Sequence, residues 1–277
     1  MANSIRVIFL NLSIENNVIM IKNITTTVAL IAFAMILLSL TPRKANHDLS
    51  VKNVVLVHGA FLDGSGWEPV YNILTEKGYH VSVSQHKLQS LETDVAEVNR
   101  IIDQQTGPCI LVGHSYGGVI ISQTGNNSKV SGLVYIAAHA PEAHEKRSEL
   151  FKKYPPAYTS LIKGEDGYDY IEPERFPEDF AADLPTRKAK FMANSQVPTA
   201  DICFQGLIDN PAWKIKPSWY MIAKSDRIIN PNLERFYAQR MNAKKIVEIE
   251  GGSHSIYTSR PDEVAQLINE AAKALSK

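Results

Sequence analysis

The sequence predicts an α/β protein with a mostly parallel, doubly wound sheet and an inserted helical lid, on three observations. From Val51 onward short apolar runs alternate with amphipathic stretches. One run, Cys109–Val112, passes through a glycine-rich turn straight into an apolar helix. The alternation lapses once, from about 141 to 217, and then resumes. Strand and helix in alternation imply parallel strands with helices on both faces.

The elements follow in order. Residues 51–277 form one domain, opened by the four-residue apolar strand Val54–Val57. Trp67–Gly78 carries Val70, Ile73 and Leu74 at helical spacing and stops at a glycine, as a helix end should. His80–Gln85 reads as a strand. Asp94–Gln104 is a second amphipathic helix, with Val95, Val98, Ile101 and Ile102 three and four residues apart. After the glycine-rich turn and its helix, Val130–Ala138 is another apolar strand. The stretch 141–217 is rich in proline, charge and aromatic residues, and it is too long to be a bare loop. It reads as a mostly helical lid. Phe151, Tyr154, Tyr158, Tyr168, Tyr170, Phe176, Phe180 and Phe191 either line an apolar pocket or pack the lid onto the sheet. Ser218–Ala223 and Ile246–Ile249 are the last strands, with helices at Asn232–Asn242, opened by Pro231, and at Asp262–Leu275.

Residues 1–50 stand apart. Val28–Leu40 is an unbroken apolar run preceded by Lys22, the length of a secretory h-region and short of the roughly 20 residues a membrane span needs. Export to the periplasm or medium is the expectation. Arg43 and Lys44 follow the run without a clear cleavage site, which leaves an uncleaved membrane anchor as the alternative.

Composition excludes some functions. Lys+Arg and Asp+Glu are both 29, so net charge is zero, and no basic stripe marks a nucleic-acid partner. The two cysteines, Cys109 and Cys203, are too few for a disulfide framework, and Cys109 lies in a predicted buried strand. No Cys/His spacing suggests a metal, and no organic cofactor is expected. Oligomeric state is open.

Four motifs carry chemistry. Gly113-His114-Ser115-Tyr116-Gly117 is a G-x-S-x-G turn, which lifts a serine above the carboxyl edge of a sheet and aims the next backbone N–H at it. His58-Gly59-Ala60 ends the first strand, where the Ala60 N–H can face the same point. Asp226 and His254 each follow a later strand, hence lie on the same edge. Asp226 can orient His254, and His254 can take the Ser115 proton. Asp201 and Asp209 are rival acids. Asp63 reads as a helix cap. His58 and His114 belong to the two turns and read as backbone-orienting; His80, His86 and His144 have no motif around them.

The stretches VVLVHGAFLDGSGWEPV, LVGHSYGG, KSDRIINP and GGSHSIY together resemble the α/β-hydrolase superfamily, in its small esterase-like branch that includes plant methylesterases, hydroxynitrile lyases and bacterial carboxylesterases. The resemblance implies a serine hydrolase acting on a small-molecule ester, with Ser115, Asp226 and His254 as triad and the Ala60 and Tyr116 N–H groups as oxyanion hole. Two alternatives stand beside it. A lyase would use the triad as a base with its oxyanion donors obstructed, and a ligand-binding member would have lost turnover.

Overall fold

The computed structural model describes residues 51–276; the segment expected to direct export or anchoring lies outside the described residues. The first half holds β1 (Asn53–Val57), α1 (Glu68–Glu76), β2 (His80–Val83), α2 (Leu91–Asp103), β3 (Cys109–Ser115), α3 (Gly117–Thr124) and β4 (Val130–Ala138). After a long insert come β8 (Ser218–Ala223), α8 (Pro231–Arg240), β9 (Ile246–Ile249), α9 (Ile256–Ser259) and α10 (Pro261–Leu275). The insert itself contributes α4 (Arg147–Lys153), β5 (Leu161–Lys163), β6 (Tyr168–Ile171), α5 (Phe176–Asp179), α6 (Thr186–Asn194), β7 (Thr199–Ala200) and α7 (Asp201–Gln205).

Six strands pair in the order β2-β1-β3-β4-β8-β9, every pair parallel. Each residue of β1, β3 and β8 is buried, as strands covered on both faces must be. The edge strands β2 and β9 are partly exposed. Four strands, β3, β4, β8 and β9, begin where the apolar runs begin; β3 runs on to Ser115 because the backbone stays extended to the turn itself.

The insert differs from a purely helical segment. Its strands β5, β6 and β7 form a small antiparallel sheet, and its four helices are short. Proline density explains the shortness, since proline ends or opens a helix and seldom sits within one. The insert is tied to the main body where Val197 N donates to Phe61 O at 3.1 Å and Phe61 N to the Thr199 hydroxyl at 2.9 Å. Phe61 takes a left-handed backbone, φ 65°, at that junction.

Register fixes where the strands stop. Val57 pairs with Gly113, Ser115 with Ala138, Ile136 with Met221 and Ala223 with Ile249. The residues that follow, His58, Tyr116, His139, Asp226 and His254, therefore issue from one edge of one sheet.

Candidate active site

Ser115 ends β3 with φ 53°, in the left-handed region that only a surrounding structure can enforce on a side chain. Enforcement comes from two close approaches. A Cβ on Gly117 would lie 2.5 Å from Val57 O, and one on Gly59 would lie 2.7 Å from the Ser115 Cβ. Glycine at both places lets the end of β1 press against the turn. Ser115 is 6% exposed and lines a small cavity together with Ala60 and Tyr116, the two expected oxyanion-hole donors.

Asp226 and His254 come together. His254 Nδ1 donates to Asp226 Oδ2 at 2.5 Å, and both side chains are fully buried. The other carboxylate oxygen accepts from Ile228 N at 2.7 Å and Ile229 N at 2.9 Å, an Asx turn that locks Asp226 after β8. Asn230 then caps α8, with Pro231 at its first turn. Ser225 N donates to Gly252 O at 2.9 Å, which holds the acid loop against the histidine loop. His114 Nε2 donates to His254 O at 2.8 Å, so the residue before Ser115 grips the backbone of the histidine. Phe180 of the insert stands edge-on to His254, ring centroids 4.7 Å apart. His254 Nε2 is buried and has no hydrogen-bond partner among the described residues.

The other sequence candidates fall elsewhere. Asp201 pairs with Lys163 at 3.7 Å and Asp209 faces His144 at 3.9 Å, both near the surface. Asp63 caps the turn after β1 by accepting from Ser65 N. His58 stacks flat on His86, centroids 3.7 Å apart, and donates to Gly59 O at 2.9 Å. Burial holds the His58 imidazole down to about 4 and puts His86 and His114 well below the usual histidine range, so these rings are neutral braces at neutral pH. The two cysteines are buried free thiols, pushed up to about 12 by burial. Among the described residues no group of three or more His, Cys, Asp or Glu is arranged to hold a metal ion.

Four residues of this region escaped sequence reasoning. His139 follows β4 on the same edge and lines the Ser115 cavity; the strand-end rule that picked out Asp226 and His254 applies to it equally. Glu234 is fully buried on α8, its Oε2 accepting from Ala223 N at 3.1 Å, and burial together with the adjacent Asp226 charge raises its carboxyl well above the ordinary range. It is a neutral acid behind the Asp226 turn, and its signal was a charge within the apolar stripe of Leu233, Tyr237 and Ala238. Asp94, also buried, accepts from the Tyr116 hydroxyl at 3.0 Å and from Leu88 N at 3.0 Å; burial pushes it up to about 6. It anchors the residue whose N–H follows the nucleophile. Arg147 opens α4 and also lines the cavity, which no local pattern announces. Of the eight insert aromatics named from the sequence, Phe151, Tyr158 and Phe180 line the cavity, as does Phe204 beside them, while Phe176 is buried in packing and Phe191 is 62% exposed.

Comparison with known proteins settles the family. A model described as the alpha/beta hydrolase family matches residues 54–267. The chain belongs to the alpha/beta hydrolase family. Within it, the chain is 26% identical to a pyrethroid hydrolase of Sphingobium wenxiniae over 254 residues, covering 82% of this chain and 89% of that one. It is 20% identical to an alpha-hydroxynitrile lyase of Arabidopsis thaliana, covering 79% and 96%. In three dimensions this alpha/beta hydrolase resembles polyneuridine aldehyde esterase, with TM-score 0.68 at 17% identity over 80% of this chain and 99% of the other, a likeness of fold.

Proposed function

We propose that this alpha/beta hydrolase cleaves a small carboxylic ester through an acyl-enzyme on Ser115. One observation carries the reading: Asp226 occupies Nδ1 of a fully buried His254 while Nε2 is left without a partner. A buried ring nitrogen with no partner calls for a reason, and in this reading it is kept open to take the proton of Ser115, which ends β3 on the same edge of the sheet.

In this reading His254 Nε2 accepts the Ser115 proton as the oxygen attacks the ester carbonyl. Asp226 steadies the imidazolium and fixes the tautomer. The oxyanion is received by the N–H groups of Ala60 and Tyr116, each contributing about 3–4 kcal/mol to the transition state. His254 returns the proton to the leaving alcohol, and water then frees the acid by the same steps. Ala60 and Tyr116 both line the Ser115 cavity, where this reading needs their N–H groups.

The test is hydrolysis of p-nitrophenyl acetate, butyrate and octanoate by the wild type and Ser115→Ala, with fluorophosphonate labelling of both. Turnover and labelling that vanish in the variant support the acyl-enzyme route, and the chain-length profile sizes the pocket. A folded wild type that neither labels nor turns over any ester defeats it and puts the lyase and binding readings ahead.

A further inference from the structure

Arg147 has no counter-ion among the described residues. Arg175, Arg227, Arg235 and Arg240 are each paired with a glutamate or aspartate. Arg147 makes neither an ion pair nor a hydrogen bond with any described residue, although it lines the cavity that holds Ser115. Its guanidinium carbon lies 4.1 Å from the Phe204 ring centroid and 5.1 Å from that of Phe151. Stacking uses the faces of the guanidinium and leaves its edge, the fork of N–H donors, to meet something else.

The Arg147 side chain is only half-buried, yet the protein packed around it pulls its guanidinium below the ordinary range; Asp201 and Asp169 act on it only from a distance. Asp201 is taken by Lys163. A half-buried cation with no partner gains from an anion beside it, and arginine keeps its proton throughout. The approach has the same sign. An open groove shares Arg147, Phe151 and Phe204 with the cavity and adds Lys146 and Lys163 against Asp201 alone. In a chain with no net charge this is a local excess of cations, suited to drawing an anion inward.

We propose that the ester this protein takes carries a free carboxylate, in its acyl or its alcohol part, and that Arg147 receives that carboxylate while Ser115 meets the ester carbonyl. The inference rests on the serine-hydrolase reading and narrows it to half-esters and their like. Planar carboxylate and planar guanidinium match in a two-bond contact, with the rings of Phe204 and Phe151 holding the guanidinium in place. His139, in the same cavity, is neutral, its pKa depressed by burial and by Arg147, and adds no second cation.

The experiment compares isosteric pairs. Methanol release from monomethyl adipate and monomethyl suberate is measured beside methyl hexanoate and methyl octanoate, for the wild type, Arg147→Gln and Arg147→Lys, with circular dichroism melts to confirm folding. Adipate binding to the same three proteins is measured by calorimetry. The wild type is expected to prefer each half-ester in kcat/KM by about 10- to 100-fold, the range a charge-assisted hydrogen bond commands. In Arg147→Gln the ratio should fall toward one, chiefly through KM, and Arg147→Lys should lie between. A wild-type ratio of one or less, or a ratio unchanged in folded Arg147→Gln, overturns the inference and leaves the hydrolase reading intact. If no ester is turned over, the hydrolase reading fails, and calorimetry decides alone: adipate binding lost in Arg147→Gln supports the anion site, and absent or equal binding overturns it.

Discussion

The carboxyl edge of the sheet holds its polar groups by hydrogen bonds and close backbone approaches, whereas the insert facing it holds its side chains by ring contacts. Asp226 is locked by Ile228 and Ile229, two and three positions on, and Ser115 by the close approach of Gly59 and by Gly117 pressed against Val57. Arg147 is instead braced by Phe204, and Phe180 reaches His254 across the fold. The lesson is a division of labour: directional hydrogen bonds and close backbone approaches place the reacting groups, and ring packing shapes what may approach them. Substitutions at the edge should therefore act on kcat, and substitutions in the insert on KM and substrate preference.

The sharpest break of that division is Asp226→Asn. The backbone donors of Ile228 and Ile229 can still be accepted, yet the amide no longer holds His254 in the needed tautomer, and kcat should fall by about 10⁴ with KM little changed. Steady-state kinetics on the preferred p-nitrophenyl ester measures it. Next is Gly59→Val, whose added carbons must displace Ser115 or the Ala60 N–H, since a Cβ there already lies 2.7 Å from the serine Cβ. A loss of about 10²–10³ in kcat is expected, the value of one misplaced oxyanion donor. A melting curve run alongside separates this from unfolding.

Acid titration sharpens the comparison from the stability side. His58 sits near 4 when folded and near 6.5 when unfolded, so between those values the unfolded chain binds a proton that the folded chain refuses. Stability from this residue is full above pH 6.5 and declines as pH falls toward 4, by about 3 kcal/mol across the window. His86, His114 and His139 act in the same sense. Asp94 opposes them, because at about 6 it takes up its proton in the folded state first and so gains stability on acidification. Denaturant midpoints between pH 7 and 4.5 should show a shallower acid loss in His58→Gln and a steeper one in Asp94→Asn. The smallest effect is Phe204→Ala in the insert, about tenfold in kcat/KM and carried by KM, since it removes one wall of the pocket and leaves the reacting groups in place.

The same contrast explains what could be read before any coordinates. Buried parallel strands announce themselves as apolar runs, so Val130–Ala138 and Ser218–Ala223 were legible to the residue, and the edge strand Ile246–Ile249 was legible from its Ile and Val despite Glu248. Ser115, Asp226 and His254 were legible as candidates because each follows such a run, and the structure joins Asp226 to His254. Glu234 and Asp94 were not, because what makes each unusual is burial without a basic partner, a property of the folded neighbourhood. The small antiparallel sheet of the insert was hidden by the brevity of its strands, three, four and two residues long, too short for alternation to emerge. Arg147 had no signal at all: an arginine between Lys146 and Ser148 looks like any surface residue until Phe204 is brought against it.

The most direct test of the account is where a fluorophosphonate attaches. Brief reaction followed by peptide mass analysis should find the adduct on the peptide bearing Ser115, and the rate of labelling should collapse in His254→Ala while that variant keeps its melting temperature. An adduct on another serine, or a His254→Ala protein that labels as fast as the wild type, would contradict the claim that Ser115 is a nucleophile activated by the Asp226–His254 pair.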